Sequence, residues 1–567
     1  MKSLKFTASI ILSAVMITVS SSVVFAEGDT PKISRTEKSD IITSQATSLK
    51  IGSLAKNTEI SSQSIPINDY IPSTYSSVEK GYVTSVKNQR THSTCWAFSS
   101  VSTLESALLK NGFGEYDISE EHLDIWATRR SDGTGWTRSL NSGSVFEASM
   151  GYFASWQGVR LDSDIPFDYA RGKTFEEVDS VGQNLYGATD IVVLPNDADT
   201  IKTAVMNYGS VSANLAANNM FFNSGKTALY AYQVFSNKSQ VEGHAICVVG
   251  WDDNYSRLNF KSGYNPPHNG AWLCKNSWGA ESNSLNGYIW VSYDDPYLFG
   301  NVLSAPFAVK KVRKTDSNTK LYQVEEYGST YDFNIFEIDE NDNTTDVTNL
   351  TFINKFKFNE KYGKLESVVF ETTSAGADYT VYLIPLESSG APSSNESKWK
   401  KLASGTVEYS GYVSVDTSNY VLPYGSGAIG VKIDGTQNNI ASKLGCDEWL
   451  TNSYGQLLFN PDVKKNTSYM KYGSTVYELS DFYSNYLGDD IGSNFVIKAV
   501  TTSDKGIKKY DVNNDGKISV ADTVLIQRYL INSISFSRNQ LFCADIDKNC
   551  EVTLSDAVAV QRKLLNL

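Results

Sequence analysis

Residues 89–100 read QRTHSTCWAFSS, and the first fold of the chain turns on how that stretch is read. Beyond Cys95, the residues Ala97, Val101, Leu104 and Leu108 recur at helical spacing, which puts the cysteine at or near a helix N-terminus. There the helix dipole and the free amide groups favour an anion and lower a thiol pKa. A free cysteine is just as readily a small buried hydrophobe with no chemistry. On this segment alone the two readings stand level.

A thiolate nucleophile needs a proton-shuttling base, normally histidine, oriented by a third polar group. The chain has four histidines. His92 shares the loop with Cys95, His122 follows DISEE in a helical stretch, and His268 lies in the turn-rich GYNPPHNG. His244 opens the apolar run HAICVVGW, where a strand would hold it rigidly. Further on, residues 274–279 read CKNSWG, followed by the strand-like NGYIWVSY. An asparagine accepting from one imidazole nitrogen fixes the ring and its tautomer, and a neighbouring tryptophan shields that bond from water.

The conjunction of VKNQRTHSTCWAFS, GHAICVVGW and KNSWG, in that order, resembles the papain family of cysteine peptidases over residues 70 to about 305. The resemblance implies Cys95 as nucleophile, His244 as general base and then acid, and Asn276 as the residue that orients it. Gln89 would supply its side-chain amide to an oxyanion hole beside the Cys95 N–H, and Trp278 would cover the His–Asn bond. No metal is implied for this step. His92, Ser93 and Thr94 stand where the family places a cysteine and a glycine before the nucleophile, so the family's disulfide from that position is absent. The glycine pair that binds substrate backbone is reduced to NSGS, with Gly143 the best match.

The N-terminus carries Lys2 and Lys5, an apolar stretch from Phe6 to Val19, and Val24-Phe25-Ala26 before Glu27, the pattern of a secretory signal peptide over 1–26. No later run is long and apolar enough to span a membrane. Residues 27–69 show no sustained period and are expected to be a linker or short pro-segment. A net charge of -13 disfavours nucleic-acid binding. Six cysteines are too few for a disulfide framework in so long a chain. Cys247 and Cys274 are expected on neighbouring strands, as two buried thiols or as a pair.

From about Leu321 to Thr502 short alternating runs such as DYTVYLIPL and NFVIKAV, separated by Gly, Ser and Asn, predict a β-sandwich. This segment resembles the lectin-like sandwich found after some papain-like domains; Trp399 and Trp449, or the many tyrosines, could stack on sugar rings, but a spacer role is favoured over carbohydrate binding and no binding residues are assigned there. The last segment repeats itself: DVNNDGKISVAD from Asp511 and DIDKNCEVTLSD from Asp545. The first loop places Asp511, Asn513 and Asp515 at positions 1, 3 and 5, a glycine at 6, Lys517 offering a carbonyl at 7, Ser519 at 9 and Asp522 at 12. This is the layout of a calcium loop. The second offers Asp545, Asp547, Asn549, Glu551, Thr553 and Asp556.

The pair resembles a type I dockerin, which implies two Ca2+ sites and a cohesin module of a scaffold protein as partner. The cohesin contacts are expected at Val520 and Ala521 or at Leu554 and Ser555. Cys550 replaces the turn glycine of the second loop and is a candidate to pair with Cys543.

The chain is therefore expected to be multidomain: an α+β papain-like peptidase domain (70–307), an all-β lectin-like sandwich (316–503) and a small all-α calcium-binding dockerin (507–567). The favoured function is a secreted cysteine peptidase acting on protein or peptide and tethered to a cellulosome-type complex at or beyond the cell surface. A catalytically silent binding protein on the same fold is the alternative. A transglutaminase-like acyl transferase is a third, from which KNSWG is the distinguishing segment.

Overall fold

The computed structural model describes residues 32–37, 71–156, 159–237, 240–299, 305–315, 319–338, 344–358, 363–422, 425–448, 450–451, 457–486, 492–503, 509–513, 515–536, 538–547, 549 and 551–565. The expected signal peptide, Trp449 and the Cys543–Cys550 pairing fall wholly or partly outside these residues.

Helix α1 (Cys95–Lys110) is buried over nearly its whole length, and its composition explains how. Small residues on one side let it approach the sheet behind it closely. Ser99 Oγ donates to the Ile246 carbonyl (2.6 Å), and Thr103 Oγ1 bonds Ser212 Oγ (2.7 Å), so the polar atoms of that contact are paired rather than stranded. Around α1 gather α2 (Glu120–Trp126), α3 (Phe146–Ser155) and α4 (Phe175–Asp179), with α5 (Ala198–Tyr208) beyond.

The strands, in chain order, are β1 (Lys32–Glu37), β2 (Thr74–Ser76), β3 (Gly135–Trp136), β4 (Tyr186–Val193), β5 (Val211–Ala216), β6 (Ala228–Leu229), β7 (Gly243–Asp252), β8 (Ala271–Lys275), β9 (Tyr288–Ser292) and β10 (Phe307–Lys314). Six of them with β4 form the order β4-β10-β5-β7-β8-β9-β6, and β2 pairs with β7. Strand β7 is central, buried on both faces, and reads as a continuous apolar run for that reason.

This sheet does not stop at the first domain. Gly411 and Tyr412 pair with Val192 and Ile191 of β4, so the strand Gly411–Val421 carries the same sheet into the sandwich, followed by Gly363–Thr372, Ile497–Ser503 and Thr319–Tyr322. A six-stranded sheet, built on the central strands Asn349–Phe358 and Gly425–Asp434, belongs to the same sandwich. Phe333, Phe352, Phe370 and Phe495 fill the sandwich core. A second junction pairs β3 with the strand Leu457–Asn460. Tyr327, Val369, Tyr412 and Val500 of the sandwich lie in one core cluster with Trp96, Leu104 and Phe146.

Strand β1 lies within 27–69, where the sequence shows no sustained period. It pairs antiparallel along Tyr331–Phe336, in a sheet of the second domain. A strand added to an edge is held by its main chain, so it needs no alternating side-chain pattern of its own.

After helix α6 (Leu479–Tyr486) in the sandwich, the C-terminal repeat folds as α7 (Val520–Leu530), α8 (Arg538–Ala544) and α9 (Leu554–Leu564) around Val512, Ile526, Ala557 and Val560, with Val421 of the sandwich packed against them. Among the described residues no helix is long and apolar enough to cross a membrane.

Candidate active site

Cys95 is the first residue of α1, as the periodicity predicts, with Thr94 at the N-cap position making no side-chain cap bond. Burial pushes its thiol up, while hydrogen bonds from the backbone of Ala245, Trp96 and Cys95 itself pull the other way. Ala245 belongs to β7 and follows His244, so the docking of α1 on β7 brings the sulfur to the strand that carries the histidine.

His244 is buried, and its Nε2 donates to Asn276 Oδ1 at 2.7 Å. That oxygen also accepts from the Ser277 N–H at 2.8 Å, which sets the orientation of the amide. Since Oδ1 can only accept, Nε2 carries the proton and Nδ1 keeps its lone pair. Burial lowers the imidazole to a pKa of about 4, and the Asn276 bond opposes the shift. The half-buried Trp278 ring stands 4.9 Å from the His244 ring, tilted by 30°.

Asn276 follows β8 directly. The turn it opens lies against residues 87–89: Gln89 N donates to Ser277 O (2.8 Å) and Gly279 N to Lys87 O (3.0 Å). Gly279 has φ +88°, and a Cβ there would meet Glu281 Oε1 at 2.5 Å and Asn88 Nδ2 at 2.9 Å, so the turn requires glycine. The same contact fixes Gln89. Its Oε1 accepts from Ser277 Oγ (2.6 Å) and its Nε2 donates to His92 O (2.6 Å), leaving the second Nε2 hydrogen for a ligand.

Beneath the site lies a buried charged network that the sequence reading missed. Lys87 Nζ donates to Glu105, Glu120 and the Ile118 carbonyl, each at 2.9 Å, and Lys275 Nζ donates to Thr84 Oγ1 at 2.9 Å. Burial raises the Glu120 carboxyl to about 7, with the Lys87 charge opposing it. Only the sequence positions of these charges inside apolar segments hinted at it.

Gly143 lies in the turn before α3. Ser93 N donates to Asn141 O at 3.1 Å and Trp96 Nε1 to Ser142 O at 3.1 Å, so the turn packs on the loop that leads into Cys95. Of the other histidines, His92 stays in the loop before Cys95 with its ring 5.0 Å from that of Phe167, His122 Nδ1 bonds the Tyr152 hydroxyl (2.9 Å), and exposed His268 pairs with Asp294. Cys247 and Cys274 are buried free thiols on β7 and β8. In the sandwich, Trp399 is half-buried and donates from Nε1 to Ser393 O at 2.8 Å.

The two C-terminal loops repeat one hydrogen-bond pattern. Asp522 Oδ1 accepts from the Val512 and Asn513 N–H groups, and Asp556 Oδ1 accepts from those of Ile546 and Asp547. Oxygens of Asp545, Asp547 and Asp556 lie within 4.8 Å of one another. In the first loop, Asp511 accepts from the Asp515 and Gly516 N–H groups, Asp515 from Lys517 N and Asn513 Nδ2. Asn549 accepts from Glu551 N in the second. An all-oxygen donor set of this kind suits a hard divalent cation such as Ca2+.

Comparison with known proteins agrees with this geometry segment by segment. Residues 71–301 match the papain family cysteine protease model, 321–501 the lectin-like domain and 509–565 the dockerin type I domain. A solved structure of the Clostridial cysteine protease Cwp84 after propeptide cleavage is 38% identical, with a TM-score of 0.67, covering 76% of this chain and all of that one. The protease and lectin-like domains of Cwp84, a surface layer associated protein of Clostridium difficile, are 37% identical with a TM-score of 0.67, over 78% of this chain and 90% of that one. Human cathepsin L2 is 30% identical over 38% of this chain. The chain spans 59% of the length of that relative and of mouse cathepsin J.

Proposed function

Because the chain belongs to the papain family of cysteine proteases, we propose that it hydrolyses peptide bonds with Cys95 as nucleophile, His244 as base and acid, and Asn276 as the group that orients the imidazole. The observation that carries this reading is the 2.7 Å bond from His244 Nε2 to Asn276 Oδ1, on the strand whose next amide bonds the Cys95 sulfur.

Burial favours the neutral form of both groups, raising the Cys95 thiol and lowering the His244 imidazole, whose Nδ1 is left free to accept. His244 takes the thiol proton as the sulfur attacks the scissile carbonyl, and gives it to the leaving amine. The carbonyl oxygen, now an anion, is met by the Cys95 N–H and the spare Gln89 Nε2 hydrogen. Water activated by His244 then attacks the thioester, releasing the acid and restoring the thiol. Gly143 and Trp278 flank the path of the substrate.

The enzyme is secreted and attached to a cohesin-bearing scaffold through its C-terminal repeat. Val520 and Leu554, the equivalent residues of the two loops, are 68% and 65% exposed, which suits an apolar contact with a partner protein. Asp511, Asn513, Asp515, Lys517 and Asp522 in one loop, and Asp545, Asp547, Asn549, Glu551 and Asp556 in the other, would hold Ca2+, which neutralises the clustered acids. The half-buried, hydrogen-bonded Trp399 argues for a sandwich that supports the peptidase rather than one that stacks sugars.

Labelling with an epoxysuccinyl inhibitor tests the core of the proposal. The adduct is expected on Cys95, and Cys95→Ala is expected to lose both the adduct and cleavage of a peptide library. Unlabelled, inactive wild-type protein under reducing conditions would move the reading to a binding protein on this fold.

A further inference from the structure

Arg138 is neither nucleophile, base nor oxyanion donor, yet every donor it owns is committed at the edge of the site. It is buried, and its five N–H groups are all used. Nε donates to Gly143 O (3.1 Å), Nη1 to Asp124 O (2.7 Å) and Ala127 O (3.2 Å), and Nη2 to Ser142 O (2.5 Å) and to the Asp124 carboxylate. Its guanidinium carbon lies 4.9 Å from the centre of the Trp96 ring, the residue after Cys95. The second Asp124 oxygen accepts from the Asn141 N–H at 2.7 Å.

Three consecutive residues are thereby pinned. Asn141, held at φ 65° in the left-handed region, is tied at its N–H to Asp124 and at its carbonyl to Ser93. Ser142 O receives both Arg138 and Trp96, and Gly143 O receives Arg138. The Gly143 N–H has no partner among the described residues. A buried arginine–carboxylate pair adds little net stability, because desolvation offsets its attraction; what it supplies is geometry.

We propose that Arg138, with Asp124, is a positioning residue for the substrate: it holds the Asn141–Gly143 turn as a rail that presents the Gly143 N–H to the backbone of an extended peptide, and it locks that rail to the helix that carries Cys95. This rests on the peptidase reading above.

The double variant Arg138→Met with Asp124→Asn tests it, because it removes both charges together, whereas Arg138→Met alone would strand a buried carboxylate and risk unfolding. On long peptides KM is expected to rise about tenfold with kcat within about twofold, the pattern of lost binding common to ground and transition states. The KM difference is expected to shrink as the peptide is shortened, and alkylation of Cys95 by iodoacetamide is expected to keep its wild-type rate. A folded double variant with wild-type KM would overturn the proposal. So would kcat and alkylation falling together at constant KM, since Arg138 would then serve the nucleophile through Trp96. Wild-type protein that is alkylated but cleaves nothing would instead sink the peptidase reading, before any variant is compared, and the rail with it.

Discussion

In the proposed role His244 must be neutral to accept a proton, and burial, which lowers its pKa to about 4, favours that form. Unfolded, it titrates near its ordinary 6.5; folded, near 4. Between those values the unfolded chain binds more proton, so the stability linked to this group is complete above pH 6.5 and is lost as pH falls through the window. Comparing pH 7 with pH 5, wild type is expected to lose on the order of 2 kcal/mol through this residue. Urea midpoints should show His244→Gln losing correspondingly less. An equal loss in both proteins would mean that the imidazole is protonated in the native state. Residues of this kind were legible in the sequence because each sits in a motif: Cys95 before a helical period, His244 at the head of an apolar run, Asn276 before Ser277-Trp278-Gly279. Arg138 was not legible. It stands in an irregular loop, and its partner Asp124 reads as an ordinary polar position of α2, so nothing but folding reveals the pair.

Helix α3 follows the rail, and its packing shows how a second domain braces the cleft. Gly151 lies mid-helix, where glycine ordinarily costs about 0.5–1 kcal/mol relative to alanine. Here a Cβ would overlap the Tyr327 carbonyl and lie 2.9 Å from Gly328 Cα, so the helix touches the sandwich backbone to backbone. Gly151→Ala is therefore expected to destabilise the protein by about 1–3 kcal/mol instead of stabilising it. Chemical denaturation measures this directly, and a stabilised variant would mean that the two backbones are not in contact. At this scale α1, the paired calcium-type loops and the alternating strands of the sandwich could be read from period and turn residues. Strand β1 could not, because its partner lies some 300 residues away and the pairing is a main-chain ladder. For the same reason nothing local announced that β4 continues into Gly411–Val421.

At the scale of the whole molecule, the three matched segments make two cooperative bodies. The first two share a sheet and a core cluster that runs from Trp96 to Val500, while the C-terminal repeat has its own core and meets the sandwich at Val421. Calorimetry with calcium is expected to show one transition for residues 71–503 and another for the repeat. Chelation with EDTA should abolish only the latter and leave hydrolysis of a small peptide unchanged. Activity lost in parallel with the repeat would contradict this division. The shared sheet also limits how such a chain can be assembled from parts in descent. A cut between the peptidase and the sandwich would bare β4, the Gly151 face of α3 and half a core, so a gene fragment ending there would encode an insoluble product. The boundary between the two bodies, after residue 503 and before residue 509, is where recombination, natural or in the laboratory, can exchange one end of the molecule for another and keep the rest intact.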